Sequence, residues 1–284
     1  MTLHVRVVTQ NHVVNVCDRL VTVTDGSEDE MYKHCVLITE DARVVFSVAG
    51  FAGIKGQETT VEWLLHEMLT TCQSGHHGIN QHLDDIWKHA QQHIDKFRGR
   101  GILWKDLKLG ILASGWVGSE QFSCVIDNAL ERWWTWAAEA RPSFKARIRN
   151  FAEYGLPAGC AIGYLGHERY ALKQRRLRQL LAFYARKEEI EKVVRIAVEV
   201  IRSVAREGGR VGVDCDGIRI SRDDPGIQVF TYRSSEMYDD VFPDCVVSSS
   251  QKCFVSRGLK DIEWETVGGR QVKWLKRGAG RNQH

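Results

Sequence analysis

No apolar run in these 284 residues approaches the roughly 18 needed to cross a bilayer, the longest being short pieces such as VFSVAGFAGI. Membrane insertion is therefore not expected. No secretory leader is expected either: such a leader needs a basic start and then about 7 to 15 apolar residues, and His4, Arg6, Thr9 and Gln10 interrupt the first stretch. The expectation is a cytoplasmic protein. None of the eight cysteines falls in a CxxC pair, and most sit in apolar runs where a thiol acts as a small core residue, so all are read as reduced and structural. There is no solenoid-period repeat and no low-complexity tract.

Motifs for phosphate and metal are equally scarce. GIKGQETT has glycines but no GK[ST] ending and no strand-to-helix context. His89 and His93 are spaced HxxxH without the acid of a metalloprotease, and His76, His77 and His82 add no regular ligand pattern, so a solvated helix face is the reading. No metal and no cofactor are predicted. Acids are absent from the final stretch TVGGRQVKWLKRGAGRNQH, whose Arg270, Lys273, Lys276, Arg277 and Arg281 exceed the whole net charge of +3. A solvated terminal segment explains it better than nucleic-acid binding. Lys173, Arg175, Arg176 and Arg178 are read the same way, and Trp133, Trp134 and Trp136 as packing or a subunit contact.

What is present is patterned. The 43% hydrophobic content and nine tryptophans can fill a sizeable core. Val5, Val7, Val13, Val14 and Val16 flank Gln10 and Asn11 as a hairpin, and CVLI and VVFSVAG flank TEDAR as a second. Helical periodicity follows in TTVEWLLHEMLTTC and QHLDDIWKHAQQHIDKF, where Val61, Leu64, Leu65 and Met68, then Leu83, Ile86, Trp87 and Ile94, share faces. Strands return in LKLGILASGWV and EQFSCVIDNAL, then helices from about 167 to 206 divided near Lys187. The spacing predicts helices near 60–73, 82–97, 167–186 and 188–206, with a last core strand in GGRVGVDCDGIRISRD that RDDPG breaks. This order fits an α+β chain with two antiparallel sheets between helix layers over residues 1–222. Residues 223–284 form a β-rich C-terminal extension with a basic tail.

These residues resemble a family. HVRVVTQNHVVNVCDRLVT is similar to the first hairpin of N-terminal-nucleophile (Ntn) hydrolases of the proteasome β-subunit type, especially the bacterial HslV-like threonine peptidase that works beside an ATP-driven unfoldase. Counted from Thr2, the family's threonine, acid and arginine fall on Thr2, Asp18 and Arg19 without a gap; its lysine falls on Lys33, and SVAGFAG resembles its oxyanion turn, with Gly50 at the glycine. The likeness covers about residues 2 to 222.

The resemblance implies a four-layer αββα sandwich and an amide hydrolase whose nucleophile, Thr2, is exposed by removal of Met1. An N-terminal threonine supplies a hydroxyl and, in its own α-amine, the base that takes the hydroxyl proton. A free α-amine has a pKa of about 7.7 to 8.0, and an ammonium such as Lys33 beside it would lower that value. Asp18 would hold Lys33 charged, and Gly50 would offer its N–H to the oxyanion. EYGLPAGCAIG lacks the serine of active relatives, with Gly155, Leu156 and Ala158 in its place; in GGRVGVDCDG, Gly212 stands near the family's acid, leaving Asp214 as a supporting residue beside Arg19. The implied partners are a peptide or acyl-amide substrate, further copies of the chain, and an ATP-dependent unfoldase. The alternatives are a catalytically silent scaffold or binding subunit and an acylase-like hydrolase of small amides.

Overall fold

The computed structural model describes residues 2–22, 28–30, 33–54, 57–74, 78–131, 136–137, 139–150, 159–166, 168–209, 211–223, 227–233, 236–238, 244–247, 254–257, 264–267 and 270–273. Met1, the 151–158 stretch with Gly155, Leu156 and Ala158, His76, His77, Trp133, Trp134 and residues 274–284 lie outside them.

Valine-rich alternation makes β1 (Leu3–Thr9) and β2 (His12–Asp18) a hairpin, joined by Gln10 and Asn11. The ribbon strands β3 (Leu20–Thr22) and β4 (Glu28–Glu30) follow, then β5 (His34–Ile38) and β6 (Ala42–Gly50). Helices α1 (Thr60–Gln73) and α2 (Ile79–Arg98) come next. The start of α1 is fixed by a reciprocal cap: the Thr59 hydroxyl accepts from the Glu62 N–H, and the Glu62 carboxylate accepts from the Thr59 N–H at 2.7 Å. β7 (Leu109–Val117), β8 (Glu120–Asp127), β9 (Lys145–Asn150) and β10 (Cys160–Gly166) precede α3 (Glu168–Lys173), α4 (Arg175–Arg186) and α5 (Ile190–Arg206). The chain continues through β11 (Cys215–Ser221), β12 (Ile227–Arg233), β13 (Glu236–Tyr238), β14 (Asp244–Val247), β15 (Phe254–Arg257), β16 (Trp264–Val267) and β17 (Arg270–Lys273).

The protein is α+β, with two large antiparallel sheets. One runs β10-β1-β2-β11-β12-β13 and the other β14-β15-β5-β6-β7-β8-β9. Each large sheet has its own helices. Leu64, Met68, Ile86 and Ile94 of α1 and α2 pack on Phe46, Ile111 and Ile126 of the second sheet. Val193, Val194, Ala197 and Ile201 of α5 and Leu181 of α4 pack on Leu3, Val5, Val14 and Val16 of the first. Burying one such side chain contributes about 1.5–3 kcal/mol, so these two clusters carry most of the stabilisation.

Between the sheets the chemistry changes. Ala49, Leu112, Val125, Leu130 and Leu165 form a small apolar cluster. Around it, the Arg6 guanidinium donates to Ser123 Oγ, the Gln121 amide donates to the Thr9 carbonyl, and His4 Nε2 donates to the Val48 carbonyl at 2.7 Å. Polar contacts of this kind fix lateral register, because a slip would strand buried donors. The extension reaches both sheets by backbone pairing, β12 with β11 and β15 with β5.

Helix positions expected from periodicity agree with those observed, apart from a break at Gln174 between α3 and α4. Two readings fail on burial. Trp87, placed on the apolar face of α2, is exposed. His93 was expected on a solvated face, yet it is buried, stacked on Trp63 at 4.4 Å between ring centroids. Cys17, Cys124, Cys160 and Cys215 are free, buried thiols, whereas Cys72 is disulfide-bonded, contrary to the expectation of uniform reduction.

Candidate active site

The chain's first described residue, Thr2, is buried where β1 begins. One residue later, the Leu3 N–H donates to Asp18 Oδ1 at 2.7 Å. Asp18 ends β2, wholly buried, and its second oxygen accepts from Lys33 Nζ at 3.0 Å and from the Gly212 N–H at 3.2 Å. Three donors therefore converge on one carboxylate. A buried carboxylate without such donors would carry a desolvation penalty of several kcal/mol.

Lys33 enters from the other sheet, just before β5, and donates also to the Leu20 carbonyl. Its own backbone carbonyl accepts from the Val48 N–H at 3.0 Å. That bond ties the lysine to β6, whose last residue is Gly50. Gly50 has φ +96°, and a Cβ there would stand 2.1 Å from the Lys108 carbonyl oxygen, so only glycine fits this turn. The next N–H, that of Phe51, donates to the same Lys108 carbonyl at 2.6 Å.

Of the residues singled out in the sequence, Asp18 and Lys33 are thus bonded to one another and, through the Leu3 N–H, to the residue after Thr2, and Gly50 is tied to Lys33 through β6. Arg19 and Asp214 are near, in different roles. The Arg19 N–H donates to the Asp214 carbonyl at 2.9 Å, while the Arg19 Nε lies 3.7 Å from Asp216 Oδ2. Gly212, which stands near the family's acid in the sequence, meets Asp18 through its backbone instead.

Two participants were not foreseen. Gly166, at φ +105°, closes β10 against β1, and a Cβ there would lie 1.7 Å from the Thr2 carbonyl oxygen. Asp216 is buried beside Arg19, one strand over from Cys17. Gly166 had a legible signal, a glycine at the end of an apolar run; Asp216 had none beyond its neighbour Asp214.

Electrostatically the inter-sheet space keeps histidines neutral. Burial, aided by His34 and Lys33, pushes the His4 imidazole well below its usual range, and burial brings His34 down to about 4. Burial, then the Asp216 carboxylate, drives the Cys17 thiol well up.

No protein-family model matches the chain, and no curated protein does. Solved structures do. Anbu (ancestral beta-subunit) from Yersinia bercovieri superposes with a TM-score of 0.51 at 11% identity, over 77% of this chain and 81% of that one. Anbu from Hyphomicrobium sp. strain MC1 gives 0.47 at 10% identity, covering 77% and 82%. The structure titled Helical Assembly of the Anbu Complex from Pseudomonas aeruginosa gives 0.47 at 12%, covering 82% and 87%. The first of these establishes a likeness of fold, and of fold alone. The likeness to the Yersinia bercovieri structure corrects one expectation. The resemblance to the HslV-like peptidase gives way to structural likeness with Anbu proteins, a distinct family. The unfoldase partner implied by that resemblance falls with it.

Among the described residues no helix is long and apolar enough to cross a membrane.

Proposed function

We propose that the chain is an amide hydrolase of proteasome-like fold whose nucleophile is Thr2, freed by removal of Met1. The observation that carries the reading is the carboxylate of Asp18, which joins the peptide following Thr2 to the ammonium of Lys33 within one buried cluster. A merely structural ion pair has no need to be bonded to the first strand's opening peptide.

In this mechanism the Thr2 α-amine takes the proton of the Thr2 hydroxyl as Oγ1 attacks the carbonyl carbon of a peptide or acyl amide. The Gly50 N–H stabilises the oxyanion. Collapse breaks the C–N bond, the amine's extra proton goes to the leaving nitrogen, and an ester remains on Thr2. Water, deprotonated by the same amine, then attacks the ester carbon; the C–Oγ1 bond breaks, the amine returns the proton to Oγ1, and the acid leaves. Lys33 favours the neutral amine by its charge, and Asp18 holds Lys33 in place.

A second reading, a catalytically silent scaffold, is favoured by one fact: Thr2 is only 5% exposed. Turnover separates the two. Wild-type protein, shown by mass to begin at Thr2, should cleave members of a panel of peptides and acyl amides; Thr2→Ala should not, and Thr2→Ser should keep part of the rate. An inactive wild type would leave the scaffold reading.

The same proposal extends to architecture. A four-layer αββα stack is supported by the two helix-covered sheets and their polar contacts. Residues 223–284 extend a 1–222 core, with β12 to β15 added at the edges of the two large sheets and β16 and β17 paired with each other. Self-assembly is supported by the exposed Leu172 and Phe183 on α3 and α4. A cytoplasmic setting is supported by the free thiols, with the Cys72 disulfide pointing the other way.

A further inference from the structure

The three strands that supply the Asp18 cluster also turn a second set of side chains into the space between the sheets. His4 and Cys17 are cross-strand neighbours on β1 and β2, and His34 reaches them from β5 of the other sheet. One potential ligand atom from each lies within 4.8 Å of the others, and all three residues are at most 2% exposed. Hydrogen bonds on the far side orient both rings. His4 Nε2 donates to the Val48 carbonyl at 2.7 Å, which leaves Nδ1 as a bare lone pair, and that buried Nδ1 has no hydrogen-bond partner. His34 Nδ1 lies 2.8 Å from Ser47 Oγ, and Nε2 lies 3.0 Å from Cys17 Sγ and donates to the Asp216 carbonyl at 3.4 Å; because the Ser47 hydroxyl can accept as well as donate, the proton can move to Nδ1 and free Nε2 for a metal. For His4, an N–H fixed on a carbonyl and a lone pair left free is how a metal-binding imidazole is prepared.

We propose that His4 Nδ1, Cys17 Sγ and His34 Nε2 form a binding site for a borderline-soft divalent cation of the zinc class, with water or the Asp216 carbonyl in the fourth position. Two imidazoles and a thiol suit zinc and disfavour magnesium or calcium, which require oxygen ligands. In a tetrahedral zinc site, bonds of about 2.0–2.3 Å place neighbouring donor atoms roughly 3.3–3.6 Å apart. The donor atoms lie within 4.8 Å of one another, with Cys17 Sγ and His34 Nε2 at 3.0 Å, so closing to a tetrahedral site needs shifts of up to about 1.2–1.5 Å, within the reach of side-chain torsions. As the sulfur–metal bond forms, the Cys17 proton leaves to solvent; no electron is transferred. The bound cation would satisfy the orphaned His4 Nδ1 and pin β1 and β2 to β5 behind Thr2, Asp18 and Lys33. The proposal does not rest on the hydrolase reading, since the site would bind whether or not Thr2 is catalytic.

Cobalt(II) provides the probe. Full-length protein, stripped with chelator under reducing conditions and titrated with Co²⁺, should develop a thiolate-to-cobalt charge-transfer band. It should saturate at about one equivalent per chain. Zn²⁺ should abolish the band and raise the melting temperature. Cys17→Ala should remove the band, whereas Cys160→Ala, which deletes a buried thiol outside the cluster, should retain it. Ser47→Ala, which loses only the outer hydrogen bond to His34, should weaken binding by about 10- to 100-fold. The wild-type titration decides the matter even where a variant fails to fold: no charge-transfer band at any Co²⁺ concentration would overturn the site. So would a wild-type band in folded Cys17→Ala.

Discussion

The Leu3 N–H and the Asp18 carboxylate, 2.7 Å apart, join the opening of the first strand to the end of the second. Because Lys33 and Gly212 bond the same carboxylate, one side chain fixes four backbone segments at the place where Thr2 lies.

Asp18→Asn should therefore do more than remove a charge. It leaves Lys33 buried without its carboxylate, a change that typically costs about 3–5 kcal/mol. A urea or thermal melt should register a loss of that order. Lys33→Ala strands Asp18 in the same way. A loss below about 1 kcal/mol in both would show that the pair is not the junction described here.

Gly166→Ala tests how Thr2 is seated. The added methyl would occupy the space of the Thr2 carbonyl, and φ +105° is strained for any residue with a Cβ. The backbone strain alone costs about 1–3 kcal/mol, and β1 must also shift away from β10. Catalytic rate should fall further than stability. Gly163→Ala on the same strand meets only the flexible end of Arg6, so a smaller effect is expected there.

Acid stability depends on His93. Its Nε2 donates to Thr60 Oγ1 at 3.3 Å, the threonine hydroxyl donates to the Phe51 carbonyl at 2.8 Å, and so the ring supports the segment after Gly50. Burial, with Lys96 adding to it, lowers its pKa to about 3. The folded state thus keeps this ring neutral while the unfolded chain, with a pKa of about 6.5, takes up the proton. Its contribution is present above pH 6.5 and lost as pH falls toward 3. The loss from this one group is about 2 kcal/mol at pH 5. His93→Leu should flatten that part of the stability profile even if it lowers the plateau; an unchanged acid limb would mean the ring is not held neutral.

Much of this architecture was legible in the sequence because period and turn chemistry are local properties. The valine alternation of β1 and β2 and the apolar stripes of α1, α2, α4 and α5 predict their elements directly. Thr2, Asp18 and Lys33 were legible as a register. His93 was misread because a single histidine on an amphipathic helix shows nothing of the Trp63 ring that covers it. The His4, Cys17 and His34 cluster was invisible for a different reason. Its members lie on three strands of two sheets, and no sequence spacing records which strands will face each other. Gly166 belongs to the same class, since its need to be glycine comes from the Thr2 carbonyl far away in the chain.

Thr2, with a free amine, is the proposed nucleophile. Intact-mass measurement of the purified protein, before and after exposure to an electrophile that reacts with both the hydroxyl and the amine of an N-terminal threonine, tests it most directly. The prediction is a chain lacking Met1 that gains one adduct on Thr2, with Thr2→Ala unlabelled and Lys33→Ala labelled at least about a hundredfold more slowly. A chain that begins at Thr2 and gains no adduct, or an adduct that persists in Thr2→Ala, would contradict it.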